Sequence, residues 1–147
     1  MNIFEALRSD HDRQRDLAER LLRTEGASDE RSDLFARLVV ELEAHAGAEE
    51  RCFYVPLMED DLTQEKARHS VAEHHELDEL VEQLQSYDMS GSQWIQTAQD
   101  LVDRLTHHLD EEEREVFQMA GKALSDSQKV ELADAYADEM DRRRAAA

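Results

Sequence analysis

With 147 residues, 40% of them hydrophobic, the chain has material for one modest core, and 5% aromatics with a single proline favour helix over sheet. Its 36 Asp and Glu against 17 Lys and Arg give a formal charge of -19, which repels phosphate backbones and anionic lipid and argues against nucleic-acid or membrane partners. Cys52 is the only cysteine, Met1–Glu5 lacks the basic and apolar regions of a secretion signal, and no uncharged apolar run approaches a membrane span, so the expectation is a cytoplasmic protein without disulfides.

Four long amphipathic segments and a shorter fifth follow in chain order. The first runs from about Asn2 to Thr24, with Phe4, Leu7, Ala18 and Leu21 on one stripe. Glu25-Gly26-Ala27-Ser28-Asp29 ends it and supplies a cap for the second, which reaches about Glu59 through Leu34, Leu38, Leu42, Phe53 and Leu57. Pro56 predicts a kink in that helix's last turn. The third runs from about Thr63 to Tyr87 on Ala67, Val71, Leu77, Val81 and Leu84, and Asp88-Met89-Ser90-Gly91-Ser92 breaks it. The fourth carries Ala98, Leu101, Leu105, Val116 and Met119 on one face as far as Ala120. Ser125 with Gln128 predicts a capping box for a final helix. Short connections between long helices imply antiparallel neighbours. The fold class is therefore all-α: an up-down-up-down four-helix bundle over about 2–121 with a short additional C-terminal helix over about 126–143, in one domain spanning 1–147.

At about 100° per residue, His11 falls in the stripe of Phe4, Leu7 and Ala18, and His45 and Glu49 fall with Leu38 and Leu42. His74 aligns with Val71, Leu77 and Val81; His108 and Glu112 align with Leu101, Leu105 and Val116. His69, His75 and His107 share faces with charged residues and read as surface histidines. One inward histidine is most simply a hydrogen-bonded core residue. Six inward ionisable groups are not, because each unpaired one costs several kcal/mol out of a total stability on the order of 5–15 kcal/mol. A metal centre accounts for all six.

His45-x-x-x-Glu49 and His108-x-x-x-Glu112 are the same motif on two helices, each presenting an imidazole and a carboxylate one turn apart. Two such pairs face to face offer two carboxylates that can bridge two cations, capped on either side by histidines. Mixed imidazole and carboxylate ligation suits iron, manganese or zinc better than calcium or magnesium. The Glu-x-x-His spacing of ferritin-like bundles is absent.

The ordered set resembles the hemerythrin-like, HHE cation-binding domain family. Asp10-His11, His45 through Glu49-Glu50 with Cys52-Phe53-Tyr54 and Pro56, Glu73-His74, and His108 through Glu112-Glu113 each resemble one helix's motif, over about residues 3–120. The resemblance implies a non-heme di-iron centre, two iron ions with an oxo or hydroxo bridge, held by His11, His45, Glu49, His74, His108 and Glu112. The chain departs from oxygen-carrying members, which have a second histidine four residues along the third helix, where Asp78 stands, and a fourth-helix Asp five residues after the histidine. Glu113 has that spacing here, but Glu112 repeats the His45–Glu49 geometry on the apolar face. Asp78, water, a small ligand, or Tyr54 turned inward by a distortion at Pro56 are the candidates for the missing position. The His, His-x-x-x-Glu, His, His-x-x-x-Glu subgroup implies reaction with peroxide, oxygen or nitric oxide, of a catalase-like or stress-protective kind. Reversible oxygen binding, or iron or oxygen sensing without turnover, is the alternative.

Overall fold

In the computed structural model, which describes residues 1–147, every amphipathic segment is helical and there is no strand. Helix α1 spans Ile3–Leu22 and opens with a box in which Asn2 Oδ1 accepts from the Glu5 amide while Glu5 Oε1 accepts from the Asn2 amide. After Gly26 turns the chain at φ 62°, Ser28 Oγ accepts from the Arg31 amide and starts α2, Asp29–Glu49. Glu50–Tyr54 is a π turn leading into the short α3, Val55–Met58. Then come α4, Gln64–Ser86, and α5, Ser92–Glu111, followed by a second π turn, Glu112–Val116, and α6, Phe117–Ala123. The Ser125–Gln128 capping box opens α7, Asp126–Ala146. No helix is long and apolar enough to cross a membrane.

The π turns matter to the interior. In each, an amide reaches back five residues, from Val55 to the Glu50 carbonyl and from Phe117 to the Glu112 carbonyl. The widened turn brings consecutive residues to the inner face, so Phe53 and Tyr54, and likewise Val116 and Phe117, are buried side by side. Pro56, lacking an N–H, follows the first π turn, so the distortion lies one turn earlier than the kink read from the sequence. The second π turn contains no proline; what both share is a His-x-x-x-Glu pair where the π turn begins.

The apolar interior divides into two clusters. One gathers Ile3 and Leu7 of α1, Phe53, Tyr54 and Leu57 after α2, Ala67 of α4, and Phe117 and Ala120 of α6. The other gathers Leu17 and Leu21, Leu34 and Leu38, Leu77 through Leu84, and Trp94 through Leu109. Thus α1 and α4 run from the first cluster to the second, and α2 and α5 run back. Buried His11 and His74 sit mid-helix in α1 and α4, and His45 with Glu49 and His108 with Glu112 sit where α2 and α5 give way to the π turns; together they form a polar belt between the two apolar clusters. Trp94 and Arg31 close the far end: the indole donates to the Leu84 carbonyl at 3.1 Å, and the buried guanidinium stacks on it while donating to Thr24 and to the Met89 carbonyl.

The C-terminal helix differs from its expectation. It is 21 residues long, as long as α2, and it packs along α1 and α2 rather than ending as a short appendage. Its Tyr136 and Met140 complete the first cluster. The pattern hid this because α7 buries only a narrow strip, Ala133, Tyr136, Glu139 and Met140, among charged neighbours.

Candidate metal centre

The six residues singled out by the helix faces meet in the polar belt, each no more than 4% exposed. They form two overlapping sets: His11, His45, Glu49 and Glu112, and Glu49, His74, His108 and Glu112, with ligand atoms in each set within 4.8 Å of one another. Both glutamates belong to both sets. Each set therefore has its own pair of histidines and shares two carboxylates, and each could hold a metal ion.

The hydrogen bonding tests whether these residues fit a metal. His11, His45, His74 and His108 all use Nδ1: it lies 2.7 Å from Glu113 Oε2, 2.7 Å from Tyr136 Oη, 3.2 Å from Glu50 Oε2 and 2.9 Å from Glu73 Oε1, respectively. A carboxylate can only accept, and Tyr136 Oη donates to Asp10 Oδ2 at 2.6 Å, so Nδ1 is the donor in all four. Nε2 is then the free nitrogen, and it points inward. The Nε2 atoms approach Glu49 and Glu112 at 3.1 to 3.8 Å without the alignment of a hydrogen bond. All four Nε2 atoms, both oxygens of Glu49 and Oε1 of Glu112 are buried without a hydrogen-bond partner. Native proteins rarely leave such groups unsatisfied. Seven atoms aimed at common points, from six side chains of the right chemistry, fit two cations.

Without cations, protons take up part of that role. Burial alone would lower the His11 pKa, but the adjacent Glu112 and Glu113 carboxylates override it and raise it to about 9; Glu49 and Glu50 likewise raise His74 to about 10 against its burial. Burial pushes both central carboxyls up. For Glu49 the His45 and His74 imidazoles win and hold it well below the usual range, whereas burial and the nearby Glu49 carboxylate leave Glu112 raised. Like charges crowded together thus drive one carboxyl towards its neutral form.

Tyr54, not Asp78, reaches the ligands. The π turn buries Tyr54 completely, and its hydroxyl donates to Glu112 Oε2. Burial, then the Glu112 and Glu49 carboxylates, push its pKa well above the ordinary value and keep it a phenol. Asp78 is exposed, at the edge of a small cavity lined by Gln14, Leu42, His45, Ala46, His74, Leu77 and Leu105, with His108 at its base. Glu113 turns out to be the outer partner of His11, while Glu112 lies in the centre. His69, His75 and His107 are on the surface as expected, with His69 and His107 both beside Glu111.

Reasoning from sequence missed the partners: Glu50, Glu73, Glu113 and Tyr136, and the buried Gln14. One signal was available. Each His-x-x-x-Glu is followed by a second glutamate, and Glu50 and Glu113 are those residues, each turned to a histidine of another helix. For Tyr136 there was no signal, because its contact with His45 spans 91 positions.

Over residues 2–120 the sequence matches the family described as hemerythrin HHE cation binding domain. The structure is similar to the crystal structure of a hemerythrin HHE cation binding domain-containing protein from Mycobacterium kansasii, with a TM-score of 0.90 and 24% identity over 99% of this chain and 89% of that one. At that identity the likeness is one of fold. No curated protein matches the sequence significantly. With the family's match running from the start of α1 through α6, and two His/Glu sets in its core that could hold metal, this chain belongs to the hemerythrin HHE cation-binding domain family.

Proposed function

We propose that the protein is a non-heme di-iron protein that decomposes hydrogen peroxide in a catalase-like, stress-protective role in the cytoplasm. The single observation that carries this reading is the set of buried, unpartnered Nε2 and carboxylate atoms on His11, His45, Glu49, His74, His108 and Glu112. Those six would hold the metal, His11 and His45 in one set and His74 and His108 in the other, each with Glu49 and Glu112. The proposed scaffold is a single domain, an antiparallel up-down-up-down bundle with α7 as an additional helix. It is supported by the alternating direction in which α1, α2, α4 and α5 cross the polar belt.

Bound iron supplies one-electron redox change and an exchangeable coordination position for a small molecule. The chain supplies the rest. Glu113, Tyr136, Glu50 and Glu73 fix the four imidazoles through Nδ1 and set which nitrogen faces inward. The carboxylates of Glu49 and Glu112 would offset the cationic charge of bound metal. Tyr54 keeps a proton at Oη and donates it to Glu112, holding that carboxylate in place. Leu42, Leu77 and Leu105 keep bulk water from the centre.

Metal analysis with an optical spectrum of aerobically purified protein, before and after peroxide, tests the reading. The expected result is two irons per chain, a ferric spectrum and release of oxygen from peroxide. A long-lived oxygen complex that releases oxygen under vacuum, with no peroxide turnover, would instead make the protein a carrier.

A further inference from the structure

The polar belt contains one unpartnered side chain that the metal reading does not use. Gln14, one turn after His11 on α1, is 1% exposed, and neither its amide nitrogen nor its amide oxygen has a partner. An amide carries two donors and an acceptor, and leaving both ends unpaired in the interior is costly. A buried glutamine with no structural hydrogen bond is worse for the fold than leucine at the same position. Its neighbours along the stripe, Leu17, Ala18 and Leu21, are apolar.

Gln14 lines a cavity of about 10 Å³ whose other walls include His45, His74 and His108. That volume admits a molecule about the size of water and excludes organic substrates. The cavity lies on the face of the belt towards the second apolar cluster, away from Tyr54, which belongs to the first. Three proposed ligand histidines and an idle amide therefore converge on one very small space.

We propose that Gln14 anchors the peroxide at the centre: its Nε2–H donates to one peroxide oxygen and its Oε1 accepts the O–H of the other. The complementarity selects a substrate class. Dioxygen and nitric oxide can accept a hydrogen bond but cannot donate one, so either would leave Oε1 unsatisfied. Hydrogen peroxide does both. This rests on the di-iron reading above and names the residue that would select peroxide over oxygen and nitric oxide.

The test uses the iron-loaded, full-length protein and two variants, Gln14→Leu, which removes both polar ends, and Gln14→Glu, which keeps the shape but replaces the donor by a carboxylate. Azide, an acceptor-only anion, is titrated by its absorption change, and peroxide consumption is followed in parallel. In both variants azide should bind about 10-fold or more weakly, and KM for peroxide should rise by a similar factor, as expected for losing a hydrogen bond to a small ligand. Iron content should be unchanged, and metal-free Gln14→Leu should melt higher than the parent, because an unsatisfied amide has been removed. If Gln14→Leu loses iron, Gln14→Glu carries the comparison. Azide affinity and peroxide KM within twofold of the parent in an iron-loaded variant would overturn the assignment of Gln14 alone. An iron-loaded parent that neither binds azide nor consumes peroxide would overturn the peroxide-decomposing reading with it.

Discussion

Replacing Tyr136 by Phe removes one oxygen, keeps the ring, and so isolates the link between α7 and the centre. The hydroxyl accepts from His45 Nδ1 at 2.7 Å and donates to Asp10 Oδ2 at 2.6 Å, on a residue 1% exposed. The Phe ring would retain the packing in the first cluster and the edge-on contact with His45 at 5.9 Å between centroids. Two buried groups lose a partner, although Asp10 keeps Arg144 at 3.0 Å. At roughly 1–3 kcal/mol for each unsatisfied group, with Asp10 discounted for its remaining partner, the loss is about 2–4 kcal/mol. For a chain of this size that lowers the melting midpoint of the metal-free protein by roughly 5–15 °C. Losing the group that orients a ligating imidazole should also weaken metal binding by about 10–100-fold. Thermal melts with and without chelator give the first number, and competition against a chelator of known affinity gives the second. His75→Ala, at an exposed position, is the control and should change neither. A Tyr136→Phe protein with the parent's midpoint and metal affinity would refute the claim that α7 supports the centre.

His45→Ala or Glu112→Ala should strip or cripple metal binding, while His107→Ala, on the exposed face, should leave metal content unchanged; equal losses would undo the helix-face assignment. Tyr54→Phe should alter the spectrum of the iron-loaded protein, whereas Asp78→His, at an exposed position, should leave iron content unchanged; spectra and metal analysis of the two variants decide this. In the metal-free protein the raised His11 and His74, at about 9 and 10 against an ordinary 6.5, stabilise the fold fully below pH 6.5 and lose that contribution as pH rises through 9 to 10. Raised Glu112 acts in the same direction from its ordinary 4.5 upward, so the metal-free melting midpoint should fall between pH 6.5 and 10 while the loaded protein changes less. A rising metal-free midpoint over that window would contradict the ordering of these groups. Loading at neutral pH should release about two protons per chain, one each from His11 and His74, measurable in weakly buffered solution.

The amino-acid sequence by itself determined the helices, their approximate ends, and that His11, His45, Glu49, His74, His108 and Glu112 face inward. Helical period is a local property, and the spacing of Leu38, Leu42, His45 and Glu49, or of Leu101, Leu105, His108 and Glu112, fixes a face without reference to the rest of the chain. Caps are equally local, which is why the Ser125–Gln128 box was legible. The His-x-x-x-Glu repetition even carried the sharing of two carboxylates between two pairs of histidines. What depends on departure from the ideal period was not legible. The two π turns rotate Tyr54 and Phe117 inward by changing register, and a face drawn at 100° per residue cannot anticipate a turn of five. What depends on distant contact was not legible either. Tyr136 on His45, Glu113 on His11, Glu73 on His108, and the small cavity beside Gln14 exist because helices far apart in the chain pack together. Only that packing decided which nitrogen of each histidine is free, since the tautomer is set by a partner contributed by another helix.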